Sequence, residues 1–145
     1  MTSATQAGFG RRFAALIYDG FLLAALLIVF TFGALVFTGG HAIMRDTAGG
    51  WYYVYCGGEI AVAAAYYILN WMRSGQTLGM RAWRLRAVGA SGRPLRFGAA
   101  VLRCIFGFFA WAPAALGVLW LYADPERMAL HDRLSNTRVV RLARA

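Results

Sequence analysis

From Phe13 to Thr38 the chain runs through an almost unbroken series of apolar residues, and Asp19 is its only formal charge. A helix must cover roughly 30 Å of hydrocarbon at about 1.5 Å per residue, so a run this long reads as a membrane span. Counted from Arg12, Asp19 lies about 10 Å along the helix axis. A carboxylate at that depth costs about 2.5–3.5 kcal/mol on insertion scales and needs either a partner or a task.

Composition points the same way. Of 145 residues, 60% are hydrophobic and 14% charged, which excludes an ordinary soluble domain and predicts a single membrane domain over residues 1–145. The net charge of +9 comes from arginine alone, for the chain has no lysine. Most of these arginines flank apolar spans, so anionic lipid headgroups are the expected partner and nucleic acid is not. Cys56 and Cys104 read as small apolar helix residues rather than a disulfide framework. Arg11-Arg12 before an apolar run resembles an export signal, but the length of the run, Asp19 and the lack of an A-x-A site predict a retained anchor helix.

A glycine-rich connector, Gly39–Gly50, leads to the aromatic group Trp51, Tyr52, Tyr53 and Tyr55, expected at headgroup level. A second span follows to Trp71 and is closed by Arg73. In Trp83–Val88 apolar and charged residues alternate, the signature of a strand with one wet face. Gly89–Gly92 is a turn signal, and Arg93–Phe97 is expected to return as the second strand of a small basic hairpin, with Pro94 confining it to an edge. Arg81, Arg84, Arg86, Arg93 and Arg96 are the expected headgroup contacts. The third apolar region, Phe97–Tyr122, is either a re-entrant hairpin broken at Pro113 or a single third span.

The fold class expected is therefore an all-α membrane protein with two transmembrane helices, a third apolar helical region and a small cytoplasmic β-hairpin. Arginine counts favour the re-entrant form. Two lie in the N-terminal tail, one in the first loop, seven from Arg73 to Arg103 and five from Arg127 to Arg144. The positive-inside rule puts the N-terminus and residues 73–103 in the cytoplasm, and a hairpin brings the tail back to them.

These features together resemble the RDD family of bacterial membrane proteins, named for an arginine and two aspartates. The matching residues are Arg12 and Asp19 in the first helix, Gly75-Gln76-Thr77-Leu78-Gly79, Leu85-Arg86-Ala87-Val88, and the tail His131-Asp132-Arg133 before Thr137-Arg138-Val139-Val140. Met80 stands where a basic residue often follows in such proteins. The resemblance implies a multi-pass protein of the bacterial plasma membrane, and transport, including monovalent cation/proton exchange, has been suggested for the family.

Depth counting assembles one candidate site. Tyr66 lies seven residues inside Arg73, as Asp19 lies seven inside Arg12, and Arg103 enters the same leaflet. Arg12, Asp19, Tyr66, Asn70 and Arg103 are thus expected as an intramembrane polar cluster, serving either as a structural clamp or as a proton or cation relay. Glu59, about 12 Å from Trp51 along the second helix, is a second candidate carboxylate. Asp132 is expected in an exposed structural salt bridge, with Arg12 as one partner, and His131 as a surface histidine. Gly57, Ala61 and Ala65 form a small-residue stripe suited to internal packing or to a homo-oligomer or larger membrane complex. No nucleophile–base pair, phosphate loop or metal-ligand cluster is present in the sequence, so neither enzyme activity nor a cofactor is expected.

Overall fold

A computed structural model describes residues 7–89, 92–111, 122 and 128–142, without the side chains of 110 and 111. Its elements are α1 (Phe9–Phe37), α2 (Arg45–Ala48), α3 (Gly50–Arg73), α4 (Leu78–Ala82), β1 (Leu85–Gly89), α5 (Phe97–Trp111), α6 (Leu130–Leu134) and β2 (Thr137–Arg141). They divide into two compact units, one of Met1–Asp19 with Tyr67–Ala145 and the other of Gly20–Tyr66.

The 29 residues of α1 span about 44 Å, more than the hydrocarbon core requires. Large apolar side chains such as Phe21, Ile28, Val29 and Phe32 stand outward along it, as they must when lipid rather than protein is the solvent. Its end is set by glycine. Gly39 and Gly40 have φ of 68° and 89°, and their amides bond the carbonyls of Val36 and Leu35. This Schellman arrangement satisfies carbonyls that the helix leaves open. Among the described residues α1 is the one helix whose length and composition suit a membrane crossing.

In the unit Gly20–Tyr66, α3 approaches α1 closely at Gly58, where an added Cβ would sit 2.6 Å from the Phe30 ring. The stripe Gly57, Ala61 and Ala65 faces outward instead.

The other unit is organised by a small antiparallel sheet. Leu85 and Ala87 of β1 and Thr137 and Val139 of β2 are buried while Arg86 and Arg138 are exposed, so the alternation expected near Arg86 is present. The expected partner strand is not. β1 pairs with β2, Ala87 opposite Val139, and not with Arg93–Phe97. The Arg93 carbonyl closes a turn by accepting from Gly89 N at 2.9 Å, Leu95 is buried in the core, and α5 begins at Phe97. Pro94 has no N–H for a ladder, whereas Thr137–Arg141 offers a full row of donors and acceptors. The Ala7 amide adds the N-terminal segment to β2 by bonding Val139 O at 3.2 Å. Leu85, Ala87, Val139, Ala15, Trp71, Met80, Leu95 and Ala100 share one apolar core beneath the sheet. Pro113, on which the re-entrant hairpin depends, lies outside the described residues.

Candidate functional site

The segment Gly75–Gly79 shows why a glycine–glutamine–threonine–leucine–glycine sequence is needed at this point. Gly75 has φ of 70°, and a Cβ on it would meet the Ala87 carbonyl oxygen at 2.6 Å. Its own carbonyl accepts from Ala87 N at 2.7 Å, and Gln76 Nε2 donates to Leu85 O at 2.6 Å. Thr77 is the N-cap of α4, its Oγ1 accepting from Met80 N. The same hydroxyl donates to Asp19 Oδ2 at 2.5 Å, and Gly79 N donates to Asp19 Oδ1 at 2.8 Å. Gly79 also lies so close to α1 that a Cβ would stand 2.2 Å from Ala15 O. Asp19 is 3% exposed and is held on both oxygens by the start of α4.

The second centre is Asp132, 0% exposed on α6. Arg12 Nη1 donates to its Oδ2, while Arg103 Nη1 donates to its Oδ1 at 2.6 Å and to Thr137 Oγ1 at 2.5 Å. Ser135 Oγ bridges the His131 carbonyl, 2.6 Å away, and the Thr137 hydroxyl, 2.7 Å away. Arg12 Nε donates to Ala7 O at 3.0 Å, and the Arg103 guanidinium stacks over Trp71 at 5.1 Å. One carboxylate therefore joins the first turn of α1, α5, α6 and the foot of β2.

Burial by itself would raise the Asp132 pKa, but the Arg103 and Arg12 guanidinium groups, with His131, hold it below the usual carboxylate range. His131, whose Nε2 is 3.3 Å from Asp132 Oδ1, is pushed down to about 3, first by burial and further by the neighbouring arginines. It is a neutral core residue at physiological pH, not the surface histidine the sequence suggested. Asp132 is likewise a buried ion pair and not an exposed one. Arg12 Nη2, Arg103 Nε, Trp71 Nε1 and His131 Nδ1 are buried with no hydrogen-bond partner among the described residues.

Within the expected intramembrane cluster the arginines and Asp19 meet different partners. Arg12 and Arg103 both turn to Asp132, and Asp19 is met by Thr77 and Gly79. Asn70, half-buried, accepts from Ser74 Oγ at its carbonyl. Thr77, Gly79, Thr137 and Ser135 were not legible as site residues by depth counting. Their signal was the motif around Thr77 and the threonine that opens the tail strand. Arg81, Arg84, Arg86, Arg93 and Arg96 are all exposed, and Arg86 Nε donates to Ser74 O.

The family model for the RDD family matches residues 6–136, from before Arg12 to beyond Asp132. The chain belongs to the RDD family. Its long apolar helix accords with that membership in making it a membrane protein. No curated protein and no solved structure matches it. In this RDD protein the signature arginine and second aspartate form a direct buried ion pair, while the first aspartate is bound by the motif at Thr77.

Glu59 has a different setting, in the unit Gly20–Tyr66. Tyr55 OH donates to its Oε1 at 2.6 Å and Thr31 Oγ1 at 3.2 Å, with the two hydroxyls 2.7 Å apart. Tyr55 is therefore a ligand of Glu59 and not a simple member of the aromatic belt. Among the described residues no cation pairs with Glu59, and its Oε2 makes no hydrogen bond.

Proposed function

We propose that this protein is a transport-related component of the bacterial plasma membrane, acting by monovalent cation/proton exchange or as an accessory to a transporter. Two tasks are separated in it. The Arg12–Asp132–Arg103 centre and the Asp19–Thr77–Gly79 contact fix the geometry of one unit, and Glu59 carries the exchange. The observation that carries this reading is that, among the described residues, Glu59 meets only hydroxyl donors, so a proton or a cation is free to neutralise it. The polypeptide is a carrier or subunit in this reading and not an enzyme.

A multi-pass topology with the N-terminal segment, residues 73–103 and the tail on the cytoplasmic face is supported by the sheet. A strand cannot pair through a bilayer, and β2 bonds both β1 and the Ala7 segment. Both ends of the segment of residues 97–129 then lie on one side, which supports the re-entrant reading. Exposed Arg81, Arg84, Arg86, Arg93 and Arg96 on that side would meet anionic headgroups. Two or three helices enclose a pore poorly, so a homo-oligomer or larger complex belongs to this proposal, with the outward Gly57–Ala61–Ala65 stripe available to it.

The test is ion flux in vesicles reconstituted with the full chain. Proton-coupled flux of a monovalent cation is expected from wild type and is lost in Glu59→Gln at normal protein levels. If wild type moves no ion, the second reading gains: a structural or assembly factor, favoured by the way Arg12, Asp19 and Asp132 are all occupied as register-fixing contacts. A reporter fused to the C-terminus tests sidedness and is expected to read cytoplasmic.

A further inference from the structure

The Glu59 carboxylate opens into a groove of about 370 Å³ lined by Leu27, Ile28, Thr31, Phe32 and Leu35 of α1. All of it lies within the unit Gly20–Tyr66. Its floor is fixed, because Tyr55 and Thr31 both hold Oε1 and so set the carboxylate rotamer, leaving Oε2 as the free acceptor. Its walls are hydrocarbon, with Ile28 and Phe32 about two-thirds exposed at 68% and 65%. A negative charge against such walls calls for a positive one.

Among the described residues none supplies it. From Phe13 to Thr38 and from Gly50 to Met72 the sequence contains no arginine, lysine or histidine. A second copy docking through the same helices would bring none to this depth either. The complement must come from a ligand, and its chemistry can be narrowed. A bare alkali or divalent ion needs about six oxygens to replace its hydration shell. Glu59, Thr31 and Tyr55 together offer three oxygen-bearing side chains, and the other groove residues offer only carbon. An organic cation needs no such shell. Its charge is spread over alkyl carbons that suit Leu27, Ile28 and Leu35, and the faces of aromatic rings attract it.

We propose that this groove is a binding site for amphiphilic organic monocations, quaternary or protonated amines bearing an apolar group, with Glu59 as counter-charge and Ile28 and Phe32 as the apolar wall. Its assignment as the transported substrate class rests on the transport reading; the binding site itself does not.

The probe is radiolabelled benzyltrimethylammonium, measured by scintillation proximity on the full chain in phosphatidylcholine nanodiscs, with empty nanodiscs subtracted. Saturable binding is expected, weakened at least roughly tenfold in Glu59→Gln and several-fold in Phe32→Ala. Neopentylbenzene, the neutral isostere, is expected not to compete. Glu59→Gln keeps the oxygen that Tyr55 and Thr31 bond, and circular dichroism with thermal unfolding checks its fold. Binding no greater than to empty nanodiscs, equal binding by folded Glu59→Gln, or full competition by neopentylbenzene overturns the proposal. Parallel vesicle assays separate the two readings. Glu59-dependent sodium/proton exchange without benzyltrimethylammonium binding sinks the organic-cation site and spares transport. Glu59-dependent binding without flux of any cation spares the site and sinks transport.

Discussion

Asp132 and Glu59 are both carboxylates in a chain with few of them, and their surroundings are opposite. Asp132 is wholly buried and held by two arginines with a neutral histidine beside it. Glu59 is half-buried, bonded on one oxygen by two hydroxyls, and borders an apolar groove. A carboxylate locked between fixed cations cannot exchange its partner without opening the core, whereas one oriented by hydroxyls can. The residues for which the RDD family is named are thus buried and bonded within the fold of this protein. The chemically open carboxylate stands outside the name.

The contrast makes graded predictions. The largest effect should come from Asp132→Asn, which leaves two buried guanidinium groups without their carboxylate. A loss of about 3–5 kcal/mol is expected, read as a lower thermal midpoint in detergent or as protein missing from the membrane. If Glu59→Gln costs as much, the division between framework and open site is wrong. Next is Thr77→Val, which removes both the α4 cap and the bond to Asp19 and should cost about 1–3 kcal/mol. Rescue is not expected from Asp19→Asn in that background, because its Oδ1 still accepts from Gly79 N but its Nδ2 finds no hydroxyl at position 77.

Acid should act on the Asp132 centre in one direction. His131 titrates at about 3 in the fold against 6.5 when unfolded, so between those values the unfolded chain holds the extra proton. The stability contribution is whole above pH 6.5 and declines as pH falls towards 3. Asp132, whose pKa is also lowered, adds to the decline below the ordinary carboxylate range. Between pH 7 and 5 the loss should reach up to about 2 kcal/mol, and His131→Gln should flatten that part of the profile. The smallest stability effect, under about 1 kcal/mol, is expected for Glu59→Gln. Its consequence should appear in flux and ligand binding instead.

Much of this could be read from residues alone, and the division is instructive. The apolar run after Arg12, the glycine end of α1, the alternation at Leu85–Val88 and the family motifs are local patterns. They follow from hydropathy, backbone freedom and side-chain period, which neighbours in the chain decide. Depth counting also placed Arg12 and Arg103 in one polar centre. It joined them to Asp19, because counting along a helix axis ranks groups by height and says nothing of which way a side chain turns. The partner they meet, Asp132, is 120 residues from Arg12 and 29 from Arg103.

The hairpin expectation failed for the same reason. A turn signal after β1 is local, but the ladder went to the strand that could supply every donor, Thr137–Arg141, and Pro94 could not. Sequence by itself determined a membrane helix, a strand with one wet face and a short roster of charged residues that burial would make expensive. Tertiary structure alone decided which of those charges are neutralised by one another. It also left Glu59 beside hydroxyls and carbon, because ion pairing at close range depends on distances that only folding sets.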